Sequence, residues 1–264
     1  MNYIKNMNTI RKISYASLIY FFLYAPIFVL IIYSFNNSSY SFLWQGFTLR
    51  WYQNLLHNTE LQIVAIHSLI IAILAATFAT GIGTVAAVNL YRYKFFGKKL
   101  LHSLIFILIL SPDIVTGISL LVLFSVMKIT LGFWTLLLSH ITFCIPFVTV
   151  IVFSRLIGQD KHLLEAAKDL GATDSVIFRR ILIPLLWPSI IAGWLISFTL
   201  SLDDVIISFF VTGPEFDILP LKIFSMTRVG VKPEVNALCS VMFGLTLGLV
   251  CLYQFAMRNR DRGT

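Results

Sequence analysis

Residues 165–184 have the sequence EAAKDLGATDSVIFRRILIP, a polar stretch in a chain that is otherwise mostly apolar. Gly171 stands where a residue in the left-handed conformation ends a helix. Thr173 or Asp174 can cap a second helical segment, which Pro184 is predicted to limit. Apolar residues before the glycine recur at three- and four-residue spacing, which predicts a short amphipathic helix with an apolar face of Leu163, Leu164, Ala167 and Leu170.

The composition is that of a membrane protein. Of the 264 residues, 58% are hydrophobic and 12% are charged, whereas a soluble domain carries about 25% charged residues. Six apolar runs are long enough to cross a hydrocarbon core of about 30 Å as helices. Continuous runs favour helices over a β-barrel. The predicted fold class is therefore an all-α polytopic membrane protein with six transmembrane helices, near residues 13–35, 63–90, 100–127, 132–154, 188–211 and 237–257.

The distribution of basic residues predicts the orientation of the chain. The net charge is +8, but the lysines and arginines are not gathered as a nucleic-acid-binding face would gather them. Fifteen of the 20 fall at the two ends, between the second and third spans, and in the loop 155–187, and five fall in the other connections. Loops rich in Lys and Arg stay in the cytoplasm. Both termini and the loop 155–187 are therefore predicted to be cytoplasmic, and residues 1–264 to form a single transmembrane domain.

Three carboxylates lie inside the predicted spans. Asp113 follows a Ser-Pro pair that interrupts the third span, roughly 20 Å from its cytoplasmic end, and Asp203 lies roughly 22 Å along the fifth. Ionisable residues at such depth usually face a cavity or the bundle interior. Since no Lys or Arg lies in the spans, these carboxylates and Asp204 predict a path for a cation, to which the faces of Trp194 and Phe198 can add cation–π contacts.

An alternative role is open for each of these carboxylates, because an Asp in a helix bundle can pair with Ser, Thr or Lys in packing. Adjacent helical residues diverge by about 100°, so one of Asp203 and Asp204 is expected to face the path, and Asp204 is preferred. His140 in the fourth span is predicted to be a hydrogen-bonded packing residue. The three cysteines are predicted to be inert, and small residues every four positions in the second span predict close packing of another helix.

The chain contains no pattern typical of an enzyme or a metal site. No His, Cys and Asp cluster has metal-ligand spacing, and neither a G-x-S-x-G nor an H-E-x-x-H motif occurs. A Walker A sequence is also lacking, so ATP hydrolysis by that route is not predicted for this chain. The chain is therefore predicted to have no catalytic residue, no metal site and no cofactor of its own.

The stretch 165–184 resembles the EAA loop of permease subunits in binding-protein-dependent ABC importers. The family pattern is Glu-Ala-Ala, three residues, Gly, nine residues, and Ile-x-Leu-Pro. The only departure is Ile183 in place of leucine, a change that conserves volume. The resemblance implies a role in coupling to an ATPase for the matching positions Glu165, Ala166, Ala167, Gly171, Ile181 and Pro184.

Four further runs resemble the spermidine/putrescine family of these permeases. They are SPDIV at 111–115, HITFC at 140–144, SFTLSLDD at 197–204 and ILPLKI at 218–223, and the likeness covers nearly the whole chain. The resemblance implies a MetI-like transmembrane domain in a bacterial inner membrane, with polyamine as cargo. It also implies a second homologous permease, two cytoplasmic ATPase subunits that bind ATP and Mg, and an external polyamine-binding protein.

Three alternatives remain open. An importer of the same class can carry another solute, because the EAA loop does not depend on the cargo. A proton-coupled secondary transporter would use the intramembrane carboxylates but would not need the EAA loop. A membrane enzyme would need a nucleophile or metal constellation, which the sequence does not offer.

Overall fold

The computed structural model describes residues 2–38, 43–160, 162–229 and 233–261, and it is built of helices. Among these residues, strand pairing is limited to one isolated bridge between Asn36 and Phe47, so the predicted all-α class is confirmed. The helices are α1 (Asn2–Tyr33), α2 (Arg50–His57), α3 (Thr59–Arg92), α4 (Lys98–Leu110), α5 (Asp113–Val126), α6 (Phe133–Ile157), α7 (His162–Asp169), α8 (Asp174–Val176), α9 (Ile183–Asp203), α10 (Ile206–Val211), α11 (Leu219–Val229) and α12 (Pro233–Asp261).

Within the described residues, four helical stretches are long and apolar enough to cross a membrane, or five if α4 and α5 form one bent span. The four are Ser14–Tyr33, Thr59–Arg92, Phe133–Ile157 and Asp174–Asp203. The 29-residue helix α12 lies where the sixth span was predicted. The count of six spans stays a prediction.

The predicted third span, 100–127, is two helices rather than one. α4 and α5 meet at an angle of 112°. Ser111 is extended, with φ −69° and ψ 134°, as a residue before proline tends to be, and Pro112 has no N–H to continue the ladder of α4. The carbonyl of Pro112 instead accepts from Val115 N at 2.9 Å. The predicted cap by Ser111 is wrong, because Pro112 occupies the N-cap position and no side chain caps α5.

The predicted fifth span, 188–211, is wrong at both ends. The helix begins at Asp174, passes through a π-helical segment at Ile177–Leu182, and continues as α9 to Asp203. Pro184 does not end this helix. The π-helical segment changes the hydrogen-bond pattern just before it, so that Pro184 lies in the first turn of α9, where proline is tolerated. At the other end, Asp204 is extended, with φ −66° and ψ 124°, and the short helix α10 begins two residues later.

The chain divides into two compact units, and the predicted single domain over 1–264 stays a prediction. The first unit comprises Met1–Gln62 and Ser225–Cys251. In it, the indole of Trp51 donates to the carbonyl of Asn36 at 2.7 Å, and Phe35 stacks on Tyr52 at 5.1 Å. The second unit comprises Ile63–Phe224 and Leu252–Thr264 and holds every predicted path and coupling residue.

Two hydrophobic clusters form the core of the second unit. One is built mainly from α3, α5, α6 and α10, and the other from α3, α6 and the helix that ends as α9. Glycines permit the close approach in the second cluster, since a Cβ added at Gly83 would lie 2.8 Å from Cβ of Val148, and one at Gly193 would lie 3.3 Å from Cγ1 of the same valine. The predicted close packing along α3 is thus confirmed, and α6 is one of the neighbours.

Candidate transport path and coupling surface

Asp204 ends α9 and starts α10. Its Oδ1 accepts from the backbone N of Ile207 at 3.3 Å, and its Oδ2 accepts from the N and Oγ of Ser208 at 2.8 and 2.7 Å. Val205 occupies the N-cap position of α10, and the Asp204 carboxylate beside it satisfies free N–H groups of the first turn, as a capping side chain does. The side chain is buried, with the residue 9% exposed. Asp204 therefore has a structural task that explains the break in the helix.

His140 of α6 completes this buried network. Its Nδ1 lies 2.7 Å from Oγ of Ser201, and its Nε2 lies 2.9 Å from Oγ of Ser208 and 3.5 Å from Oδ2 of Asp204. Since the Ser208 hydroxyl donates to Asp204, its oxygen is free to accept from Nε2–H, which leaves Nδ1 to accept from Ser201. The predicted packing role of His140 is confirmed. Asp204 therefore has hydrogen-bonded polar neighbours on α6 and α10, which the absence of Lys and Arg from the spans did not suggest.

Asp203 and Asp113 are placed differently from Asp204. Asp203 is the last residue of α9 and is exposed, while Asp113 is the half-buried first residue of α5, as predicted. Neither side chain makes a hydrogen bond or ion pair with a described residue. The placement favours Asp203 over Asp204 as the exposed member of the pair, the reverse of the preference from sequence. Contact of any of the three with a cargo stays a prediction.

Helix α5, which begins with Asp113, packs against α10, which begins two residues after Asp204. A Cβ added at Gly117 of α5 would lie 2.7 Å from the ring of Phe210 and 3.3 Å from Cα of Ile207, both in α10. Glycine is needed at this position because the backbones approach closely. Asp113 lies one turn before Gly117 on the same face of α5, so the start of α5 and the break after Asp203 belong to one packed region.

The two aromatic residues predicted to line the path have unequal exposure. Trp194 and Phe198 stack with ring centroids 5.3 Å apart and planes 7° from parallel. Phe198 is 3% exposed and is largely covered, whereas Trp194 is half-buried. The indole Nε1 of Trp194 donates to Oγ1 of Thr77 in α3 at 3.1 Å. Trp194 therefore remains the better placed of the two, and no sequence signal had singled out Thr77.

In the part of the chain that the structure describes, no group of three or more His, Cys, Asp or Glu side chains could hold an ion. Three buried hydroxyl oxygens, of Thr80, Thr84 and Ser197, have no hydrogen-bond partner among the described residues. They add polarity to α3 and α9 near the Trp194–Thr77 contact.

The stretch with the EAA residues is an exposed helix with a defined end. Glu165 and Ala166 are exposed on α7, and Ala167 is half-buried against the second cluster. Gly171 has φ 78°, its N donates to the carbonyl of Lys168 at 2.9 Å, and the next residue donates to the carbonyl of Ala167 at 3.0 Å. This is the Schellman motif, so the predicted left-handed glycine is confirmed.

The predicted apolar face of α7 is only partly correct. Leu164 and Ala167 pack against the second cluster, whereas Leu163 and Leu170 are exposed, Leu170 by 89%. Leu170 lies in the Schellman turn, where the chain leaves the helix and its side chain leaves the apolar stripe. Among the later motif positions, Ile181 is half-buried and Pro184 exposed. We call α7 and Leu170 together the coupling surface, because they carry residues that are predicted to contact an ATPase.

An ion pair links the polar stretch 165–184 to the end of α3. Arg92 Nη2 donates to Oδ1 of Asp174 at 2.5 Å, and the hydroxyl of Tyr93 donates to Oδ2 at 3.2 Å. A cavity of about 340 Å³ lies beside this pair and is lined by residues of α3 and α7, among them Arg92, Glu165 and Lys168. The end of α3 and the coupling surface are therefore on one side of the second unit. The pairing joins residues 82 positions apart, and no local pattern in the sequence predicts it.

Comparison with known proteins agrees with this architecture. Residues 79–258 match the family described as "Binding-protein-dependent transport system inner membrane component". The chain is 55% identical over 245 residues to the spermidine/putrescine transport system permease protein PotC of Escherichia coli K12, covering 93% of each. It is 42% identical over 251 residues to the putrescine transport system permease protein PotI of the same strain, covering 91% of this chain and 89% of that protein.

Two solved structures share the fold at low identity. One is the MetNI methionine ABC transporter in an inward-facing conformation, with TM-score 0.62, 18% identity, and coverage of 82% of this chain and 98% of that one. The other is a bacterial ABC transporter involved in the import of the acidic polysaccharide alginate, with TM-score 0.74, 15% identity and 97% coverage of both. The predicted MetI-like fold is confirmed, and the chain belongs to the family of binding-protein-dependent transport system inner membrane components.

Proposed function

We propose that this chain is one of two permease subunits of an ATP-driven importer that moves polyamines, spermidine or putrescine, into the cytoplasm. The observation that carries the proposal is the 55% identity to a spermidine/putrescine permease over 93% of both chains. The fold alone does not select this cargo, because relatives of the same fold import methionine and alginate.

The proposed assembly has four further subunits. A second homologous permease pairs with this chain in the inner membrane, two cytoplasmic ATPase subunits bind ATP and Mg, and an external protein delivers the polyamine. Both termini and α7 lie in the cytoplasm, in agreement with the excess of basic residues there. The last residues, 262–264, lie outside the described residues. A reporter fused after them is expected to be active only in the cytoplasm.

The coupling surface supports the ATPase contact. Glu165 offers an exposed carboxylate and Leu170 an exposed apolar side chain, on a helix whose other face is held against the core. From Asp174, an unbroken helical stretch of 30 residues runs to Asp203, about 45 Å at 1.5 Å per residue. Movement of the loop is therefore passed along a continuous helix to the level of the carboxylates.

The carboxylates of Asp113 and Asp203 are the proposed contacts for the cationic cargo. Both are ionisable groups without a partner among the described residues, and an ammonium group is attracted to a carboxylate strongly where water is excluded. Trp194 can add a cation–π contact through its ring. Asp204 acts on the path indirectly, because its hydrogen bonds to Ile207 and Ser208 fix where α9 ends and α10 begins.

Transport by the assembled complex tests the proposal. The complex is reconstituted in vesicles with its external binding protein, and uptake of labelled spermidine and putrescine is measured with and without ATP. We expect ATP-dependent uptake of at least one of them, competed by the other. The 42% identity to a putrescine permease makes putrescine the second candidate cargo. Uptake driven by a proton gradient without ATP, or no polyamine uptake by an assembled and ATP-hydrolysing complex, would contradict it.

A further inference from the structure

The connection between α3 and α4 lines a basic cavity of about 940 Å³. Lys94, Lys98 and Lys99 contribute to its walls together with His102, and none of the described residues that line it is acidic. Lys98 donates from Nζ to the carbonyl of Tyr93 at 3.1 Å, which fixes its position. Lys94 and Lys99 are exposed and form no ion pair with a described residue. The cavity therefore concentrates positive charge that the described residues do not neutralise.

An apolar groove of about 230 Å³ adjoins this cavity, and His102 lines both. The ring of His102 lies 5.0 Å from that of Phe106 and 5.8 Å from that of Phe153, so it forms the junction between the polar and apolar spaces. α4, α6 and the end of α3 form the groove, whose apolar lining includes Leu90, Ile105, Phe106, Val150, Phe153 and Ile157.

Two aromatic residues stand among the lysines. Phe95 is exposed and Phe96 is wholly exposed, just before Gly97, which has φ 86° and turns the chain into α4. Exposed aromatic and basic side chains at the end of a span are typical of the membrane–water interface. The mouth of the cavity is therefore expected to lie at the level of the lipid headgroups.

We propose that the cavity and the groove together bind one anionic phospholipid of the inner leaflet. The phosphate lies between Lys94 and Lys99, and an acyl chain passes His102 into the groove. This rests on the cytoplasmic orientation given under the proposed function, because anionic lipids of the cytoplasmic leaflet attract basic residues beside spans. A water-soluble phosphate compound would use the cavity alone and leave the groove empty, so the groove is the feature that selects a lipid.

Native mass spectrometry on the full chain, purified with the subunits that remain bound to it, tests the proposal. The complex is stripped of lipid and titrated with dioleoyl phosphatidylglycerol, and bound lipids are counted. In K94Q/K99Q we expect the tightest site to weaken about thirtyfold, since each basic residue near the surface contributes about fivefold. The control R179Q/R180Q removes the same charge from exposed positions in the polar stretch outside the cavity and is expected to bind as the wild type does.

Two further ligands distinguish the sources of the phosphate. Phosphatidylcholine is expected to bind more weakly than phosphatidylglycerol, and glycerol phosphate at the same concentration is expected not to displace it. Equal binding of the two lipids, displacement by glycerol phosphate, no effect of K94Q/K99Q, or an equal loss in R179Q/R180Q would each overturn the lipid site. None of these measurements depends on transport, so their failure leaves the import proposal standing.

Discussion

Substituting Asp203 and Asp204 one at a time distinguishes a residue that contacts the cargo from one that stabilises the fold. Asp204 accepts three hydrogen bonds in a buried network, so Asp204→Ala removes a helix cap worth about 0.5–2 kcal/mol. It also leaves buried donors of Ser208 unpaired, at about 1–3 kcal/mol. We expect a loss of about 2–4 kcal/mol in the free energy of unfolding, a large part of the 5–15 kcal/mol of an ordinary domain. Asp203→Asn removes charge at an exposed position and is expected to change stability by less than about 0.5 kcal/mol.

For transport, we expect the larger direct effect from Asp203→Asn, although that variant changes stability less. If Asp203 contacts an ammonium group, losing its charge costs about 1.5–3 kcal/mol, or about ten- to hundredfold in spermidine uptake per assembled complex. Thermal unfolding of the purified protein gives the stability, and ATP-dependent uptake into vesicles gives the transport. Asp160→Asn is the matched control, because Asp160 is exposed outside the spans and Asn keeps the acceptor for His162 N.

The converse result would refute the assignment of Asp203 as the cargo contact and of Asp204 as the structural residue. If Asp203→Asn transported spermidine normally while Asp204→Ala kept full stability and lost uptake, the buried residue would be the cargo contact and the preference from sequence would be restored. If neither variant affected uptake, both residues would be structural, and the polyamine proposal would rest on similarity to relatives alone.

Three other substitutions test the coupling surface, the core and the path. Gly171→Val places a β-branched residue at φ 78°, at a cost of about 1–2 kcal/mol, and should lower ATPase co-purification and uptake but not membrane insertion, whereas Gly158→Ala at φ −78° should be neutral. Gly83→Ala brings a Cβ within 2.8 Å of α6 and should destabilise by about 1–3 kcal/mol in thermal unfolding, while Gly81→Ala, with no atom within 4 Å, should not. Trp194→Ala should reduce spermidine uptake about two- to thirtyfold and Trp194→Phe less, because phenylalanine keeps an aromatic face; equal uptake by both would remove the ring from the path.

Features that depend on one residue's backbone could be predicted from the sequence. Gly171 takes a positive φ because the Schellman turn needs it, and Pro112 interrupts the third span because it lacks an N–H. The expectation that proline ends a helix was wrong at Pro184, because a π turn precedes it and places it in the first turn of α9. Nothing in the composition of Ile177–Leu182 marks a π turn, and the 112° angle between α4 and α5 depends on packing as well as on the break.

Features that depend on distant partners could not be predicted. The sequence singled out Asp204 as a carboxylate that lines a cation path, whereas the structure buries it beside His140, which lies 64 positions earlier on another helix. A signal was available, since an Asp in an apolar run is also a typical helix cap and predicts a break after it. The exposure of Leu170 likewise follows from the turn that it enters, whereas a helical repeat continued through the glycine predicts burial.

The adjacency of one exposed and one buried carboxylate has a mechanical consequence. A helix end is usually a place where the backbone frays, so a ligand contact on the last residue of α9 would be poorly positioned by the helix alone. Asp204 removes this freedom, because it accepts hydrogen bonds from Ile207 and Ser208 of α10, and Ser208 is in turn hydrogen-bonded to His140 of α6. At the other end, Arg92 ties Asp174 to α3. The helical stretch is thus held at both ends and is continuous between them, which supports the proposal that movement at the coupling surface reaches Asp203.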